Sequence, residues 1–388
     1  MNMTTDARTF QHLAPELRLY GGADSLAALK RELKRSGANR AAVVSGRSVA
    51  NSYAMELLRQ ELGATIVAEC HSVRSNSPVA AVRDTADVLA RSEANAVIAV
   101  GGGSAAVTAR AASILLAEGK PAHELCTRRL ESGAFESPRL DAPKLPQFVI
   151  PTTPSNAFMK AGSAVHDDDG NRLALFDPKT RAKAIFIHPE FLATAPTELV
   201  QSATLNTMST AIEALESPRC DVISEAMLRQ CLRLISAYVG AASDSQGLAR
   251  EQLALAGVLC GRGTEGAGGG LSSVLAHAIG HRSHVANGLV NAIVLPHTLR
   301  FNAPATGRAG ERIADSLVIS GPREPDPIAA LETVLGKLPI ARRLRDIGVP
   351  RDELAAIAQA AMQDWFIGRN ARPVRGVEDV ISILEAAW

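Results

Sequence analysis

Between residues 17 and 189 the chain alternates short apolar runs with longer amphipathic stretches, and beyond residue 189 the short runs stop. "LRLY" (17–20), "RAAVVSG" (40–46), "TIVAEC" (65–70), "AVIAV" (96–100), "QFVIPTT" (147–153) and "AIFIHP" (184–189) read as strands, the most apolar of them as buried ones. Between them lie stretches of helical pattern: Asp24 to Ser36 with Asp24 as its cap, Ser48 to Leu62, Pro78 to about Arg91, and Ser104 to Gly119. Strands alternating with helices predict a doubly wound parallel sheet. "GSAVHDDDGNRLALF" (162–176) predicts a β-hairpin turning on DDDGN. Past Pro189, helical patterns cover Leu199 to Leu215, Val222 to Gly240, Ser245 to Leu259 and Asp352 to Gln363, and "GRGTEGAGGG" (261–270) is expected to be a flexible connection. The fold class is therefore an α/β N-terminal domain with a doubly wound parallel sheet (1–189) and an all-α C-terminal domain (190–388).

Composition excludes several function classes. With 41 basic and 40 acidic residues there is no electrostatic footprint for nucleic acid or an anionic membrane. No apolar stretch approaches bilayer-spanning length, and "MNMTTDARTF" lacks the charged region and apolar core of a secretory signal. Cys70, Cys126, Cys220, Cys231 and Cys260 are scattered without a CxxC, which predicts reduced thiols and a cytoplasmic location.

Two loops carry the nucleotide argument. "VIAVGGGSAAVTAR" (97–110) is a strand, a glycine turn and a helix. Gly101, Gly102 and Gly103 free the backbone amides to approach a phosphate, the helix adds its positive end, and Ser104 is placed to cap the helix and donate to the anion. The motif is neither GxGxxG nor a Walker A loop. In "IPTTPSNAF" (150–158), Thr152 and Thr153 follow a strand and can bond a nucleotide ring or ribose; an ordinary capped turn is the alternative. "HAIGHRSHVANG" (277–288) sets His277, His281 and His284 at helical spacing, suited to a metal, to proton transfer or to a polar helix end, with Gly280 suggesting that the helix is about to stop.

"VIAVGGGSAAVTARAASILL", "VIPTT", "ATLNTMSTAIEAL" (203–215), "HAIGH" (277–281) and "NAIVLPHTLRFNAPA" (291–305) occur in an order that resembles the iron-containing (group III) alcohol dehydrogenase family, whose fold is like that of dehydroquinate synthase. The resemblance runs over nearly the whole chain. It implies NAD(P)H lying across the sheet, with its pyrophosphate on Gly101 to Ser104 and its adenosine near Thr152 and Thr153. It also implies four metal ligands, and here the chain departs from the pattern. The family's Asp and His on one helix are Asn206 and Thr210, the last His is Asn287, and only His277 is kept. Asn and Thr are weak ligands, so no divalent metal is expected.

"PTTAGTGSE" becomes "PTTPSNAFM", which puts Asn156 and Phe158 at the cofactor, and Arg172 matches a family lysine in the cleft. The Asp that meets the ribose 2′-hydroxyl in many members is Gly46, followed by Arg47 and Ser48; this exchange of charge favours NADPH, with NADH still usable. The expected activity is a metal-independent, NAD(P)H-dependent reduction of a small aldehyde, ketone or imine-like molecule. His281 and His277 would supply protons, and Asn206, Thr210, His284 and Asn287 would line the substrate pocket. A redox-neutral lyase or cyclase of the dehydroquinate synthase type and a non-catalytic nucleotide binder are the alternatives. The family also implies a homodimer or larger homo-oligomer.

Overall fold

The computed structural model describes residues 9–132, 134–245, 247–283, 285–322 and 324–388, without the side chain of His281. Among the described residues there are ten strands: β1 (Arg18–Gly21), β2 (Ala41–Ser45), β3 (Ile66–Cys70), β4 (Ala96–Gly101), β5 (Arg128–Arg129), β6 (Phe135–Glu136), β7 (Gln147–Pro151), β8 (Gly162–His166), β9 (Arg172–Phe176) and β10 (Ala182–Ile187). Six of them form one parallel sheet in the order β1-β10-β7-β4-β2-β3. Alternation along the strands sends Ala42, Val44, Val97, Ala99 and Val149 into one core. Their neighbours Ala41, Val43, Ile98, Val100 and Phe148 enter the core on the other face. Helices cover both faces, so the middle strands are apolar throughout, as their sequence requires.

From β2 the chain first moves outward to β3 and then returns past β2 to β4 and β7. The order reverses between β2 and β4, and the crevice at the carboxyl ends of those two strands is where open α/β sheets bind ligands. The loops carrying Gly46 to Ser48 and Gly101 to Ser104 leave these strand ends. The hairpin expected at 162–176 is β8 and β9, paired from Gly162↔Phe176 to His166↔Arg172.

Three local expectations change. Asp24 makes no side-chain cap, because its φ of −85° and ψ of 3° lie outside the extended conformation that aims a capping carboxylate at the helix amides. The helix expected over 48–62 is broken: Arg47–Ala50 is one turn, and Ser52, extended, accepts from the Met55 amide to start Tyr53–Leu62. Gly102, not Ser104, caps the helix Gly103–Glu118, because the turn at Gly101, with φ of +148°, starts the helix early.

Among the described residues no strand follows β10. The helices include Thr197–Glu216, Val222–Tyr238, Ala249–Gly263, Leu271–Ser283, Asn287–Thr306, Leu354–Ala361 and Val377–Ala387. None is long and apolar enough to cross a membrane. "GRGTEGAGGG" is not simply flexible: its first residues close the helix Ala249–Gly263, and a Cβ on Gly261 would collide with Met159. A Cβ on Gly257 in the same helix would stand 2.6 Å from the Ser155 amide, so these glycines seat the helix on the loop after β7. Gly280 does not end its helix either. A Cβ there would come within 2.5 Å of Asn287 Oδ1 and 3.0 Å of the Val285 carbonyl, so the glycine makes room for the returning chain while the helix continues to Ser283.

Candidate active site

The loops that follow β4 and β7 lie against each other. Thr152 and Thr153 are both buried. A Cβ on Gly102 would stand 2.9 Å from Thr153 Oγ1, and one on Gly103 would stand 3.0 Å from Ser155 Oγ. The glycines are thus required by the packing of one loop on the other, in addition to the open amides they leave at the helix start. Asn156 and Phe158 belong to the short 3₁₀ turn Asn156–Met159, with Phe158 fully buried. Beneath it Arg110, also fully buried, donates to the Gly162 and Ala157 carbonyls and holds the turn in place. Burial pushes the Arg110 guanidinium down to about 9, with Arg181 adding repulsion. The arrangement fits a dinucleotide: a glycine turn and the amino end of a sixteen-residue helix stand at the switch of strand order.

Arg47 and Ser48 are exposed at the carboxyl end of β2, and Gly46 is partly so. Beside them His71 Nδ1 lies 3.0 Å from Ser45 Oγ. Glu69, at the end of β3, is clamped by Arg59 through two contacts of 2.8 Å.

His277 lies in the helix Leu271–Ser283, whose amino end is held by side chains from elsewhere. Glu213 Oε1 accepts from the Ser273 amide at 2.8 Å and Asn370 Oδ1 from the Leu271 amide at 3.1 Å. The His277 ring meets Asp364, with Nδ1 2.8 Å from Oδ2. A carboxylate only accepts, so Nδ1 carries the proton and Nε2 is left for another partner. The ring stacks on Phe366 at 6.0 Å, and Phe366 stacks on Trp365 at 4.5 Å. Arg172, expected on the cofactor, stands with Nη1 3.7 Å from Asp364 Oδ2.

Burial pushes the His277 imidazole down, and Arg172 adds to that, while the bond to Asp364 opposes both. Burial pushes the Asp364 carboxyl up, but His277 and Arg172 outweigh it and hold it below the usual range. His277 keeps 23% of its side chain open.

The positions of the family's other ligands hold neutral groups that satisfy one another. Asn206 Oδ1 accepts from Asn291 Nδ2 at 3.0 Å, Asn291 Oδ1 accepts from Ser272 Oγ at 2.9 Å, and Ser272 Oγ meets Ser209 Oγ at 2.9 Å. The Thr210 hydroxyl donates to the Asn206 carbonyl one turn back, at 2.8 Å. The Asn287 amide lies beside Gly280. Among the described residues no three His, Cys, Asp or Glu side chains converge as a cation would need. His284 lies outside the described residues, and of His281 only its place in the helix Leu271–Ser283 is described.

Sequence reasoning does not reach Asp364, Trp365 or Phe366. "QDWF" (363–366), holding one of only two tryptophans in the chain directly after a carboxylate, is the signal that points to them. Its partner His277 is 87 residues away, and no local pattern joins the two.

Comparison with known proteins agrees with this architecture. Residues 15–189 match the model for iron-containing alcohol dehydrogenase, and residues 201–388 match the C-terminal model of the Fe-containing alcohol dehydrogenase family. Lactaldehyde reductase of Escherichia coli strain K12 is 27% identical over 380 residues, covering 95% of this chain and 97% of that protein. The 1-propanol dehydrogenase of Salmonella typhimurium is 25% identical over 390 residues, covering 95% and 98%. An alcohol dehydrogenase from Oenococcus oeni has the same fold, with a TM-score of 0.89 at 19% identity over 98% of this chain and 100% of that one. The chain belongs to the iron-containing alcohol dehydrogenase family and is an oxidoreductase of that family.

Proposed function

We propose that the protein reduces a small aldehyde, ketone or imine-like substrate with NADPH, without a metal, and that His277 is the proton donor. Residues 1–189 serve as the nucleotide-binding domain, residues 190–388 as the helical domain, and the substrate enters the cleft between them. The observation that carries this reading is the His277–Asp364 pair, which leaves Nε2 facing away from its carboxylate partner. A bound nicotinamide supplies the hydride. The chain's own task is to neutralise the charge that develops on the substrate oxygen. His277, charged to the imidazolium by a proton taken from water, gives its Nε2 proton to that oxygen and returns to the neutral ring that Asp364 holds through Nδ1. Burial and Arg172 make the imidazolium a stronger acid than usual, which eases the transfer from the charged ring and confines that ring to lower pH. Asn206, Thr210 and Asn287 shape the pocket, with His284 and a second proton-transfer role for His281 as further parts of the proposal.

The metal-free reading is supported by the donor set. Asn206, Thr210 and Asn287 offer no charge, and the Asn206 and Thr210 side chains are already bonded within the protein. They do not fit a divalent cation. Dialysis against a strong chelator is expected to leave kcat for carbonyl reduction unchanged, and added zinc or iron to leave it unchanged again. Activity lost to the chelator and restored by either ion would refute the proposal.

The preference for NADPH is supported by Arg47 at the switch point and by the engagement of Glu69 with Arg59, which removes a competing negative charge. Replacing Arg47 by Asp is expected to shift the ratio of kcat/KM for NADPH over NADH toward NADH by about 1–3 kcal/mol, or roughly five- to 150-fold. An unchanged ratio would mean that Arg47 faces only water. The five cysteines are free thiols, which supports a reducing, cytoplasmic setting. As in its family, the chain is proposed to assemble at least as a homodimer.

A further inference from the structure

The hairpin of β5 and β6 takes no part in the main sheet. It is nonetheless firmly attached to β9: the Thr127 amide donates to the Ala174 carbonyl at 2.7 Å, and the Cys126 backbone pairs with that of Leu175. Since β9 begins at Arg172, one rigid unit of the sheet domain carries Arg129, Phe135 and Arg172. This unit meets three consecutive residues of the helical domain. Arg129 Nη1 donates to Gln363 Oε1 at 2.8 Å. Arg172 stands 3.7 Å from Asp364, and Phe135 meets Trp365 edge-on at 6.4 Å. Arg129 and Phe135 are themselves a cross-strand pair, with the guanidinium 5.9 Å over the ring.

We infer that the β5–β6 hairpin is an outer clasp of the active site, and that Arg129 and Phe135 are positioning residues which hold the 363–365 segment so that Asp364 meets His277. Three contacts from one unit to consecutive backbone positions restrain both the place and the rotation of that segment. The middle residue is the carboxylate that sets the imidazole tautomer. Neither Arg129 nor Phe135 is buried, so neither is needed for the core. Their loss is expected to loosen Asp364 without unfolding the chain. The inference rests on the proposed role of His277 for its effect on turnover, but its structural half stands apart from that role.

The test uses the full-length protein with 15N-labelled histidine, the His277 signals being assigned by their disappearance in H277N. Wild type is expected to show the Nδ1–H tautomer at His277, and R129A/F135A a mixture with the Nε2–H tautomer. In the same variant kcat should fall about ten- to a hundredfold, the cost of misplacing a catalytic group by an ångström or less, while KM for carbonyl and cofactor stays unchanged. R129K with Phe135 intact should restore both readouts, because an ammonium can still donate to Gln363. An unchanged tautomer overturns the clasp. So does a changed tautomer with unchanged kcat, or a rise in KM alone. If wild type reduces no carbonyl with either dinucleotide, the proposed function fails, and the tautomer measurement still decides the clasp.

Discussion

H277N is expected to lower kcat for carbonyl reduction by about two to four powers of ten, the usual contribution of a positioned general acid. Cofactor affinity, read by the fluorescence of bound NADPH, should not change, because the proposed phosphate contacts lie on the glycine turn before the helix Gly103–Glu118 and His277 lies on the helix Leu271–Ser283. The pH profile gives a second signature. Reduction needs the protonated ring, and burial with Arg172 pushes the imidazole below its ordinary range. In wild type, therefore, the reduction rate should fall as pH rises through an ionisation lower than that of a free histidine. Oxidation of the product alcohol should rise through the same ionisation. Both limbs should vanish in H277N. D364N keeps the shape of the side chain but removes its charge, and it can present a donor to Nδ1, stabilising the wrong tautomer. It should cost at least about a hundredfold in kcat by the same reasoning. A kcat within threefold of wild type in H277N would remove the histidine from the mechanism.

The second large effect concerns stability. Glu213 and Glu216, on the helix Thr197–Glu216, are buried where the helices meet. Burial pushes the Glu213 carboxyl up to about 7, against bonds from Ser273 that pull it down, and pushes Glu216 up to about 8, against its bond from Asn302. A carboxyl whose folded value is raised binds its proton more tightly in the folded chain. Its contribution is complete below the unfolded value, near 4.5, and is lost as pH climbs through the folded value. The protein should therefore become easier to unfold in urea between about pH 5 and about pH 8.5. E216Q keeps an oxygen for Asn302 Nδ2, which donates to Glu216 Oε2 at 2.9 Å, and has no proton to lose. Relative to wild type it should gain on the order of 5 kcal/mol across that interval, since each tenfold change in proton affinity is worth about 1.4 kcal/mol. Parallel stability curves for the two proteins would show that Glu216 is ionised throughout. Because Glu213 also caps the helix that carries His277, loss of its proton would be felt at the active site.

Much of the fold is legible in the sequence because it depends on local periodicity. "AVIAV" and "RAAVVSG" are apolar on both faces, which only an inner parallel strand requires, and they are β4 and β2, both inner strands of the sheet. The hairpin around DDDGN and the absence of strands after β10 among the described residues follow from equally local signals. The divergence from the family's ligand set is also legible, because residue identity alone turns an Asp, a His and a His into Asn206, Thr210 and Asn287. Glycines are harder to read. Gly102 and Gly103 suggest an approach to phosphate, yet their hydrogens also face Thr153 and Ser155; Gly280 suggests a helix end, yet it admits Asn287. A glycine announces that something comes close, and only the packed chain tells what that is.

By itself, then, the sequence determined the layer architecture, the place of the glycine turn and the "PTTPSN" loop at the ends of inner strands, and the neutral character of the residues at the family's ligand positions. All of these rest on residue type and on patterns within about fifteen neighbours. The partnership of His277 with Asp364, the approach of Arg172 to that carboxylate, and the grip of Arg129 and Phe135 on Gln363 and Trp365 were decided by tertiary structure alone. Their partners lie 87 or more residues apart in the chain, on elements that meet only after the sheet and the helices have packed. A side chain's identity gives its capacity to donate or accept, but the partner is chosen by the packing of the backbones that carry both.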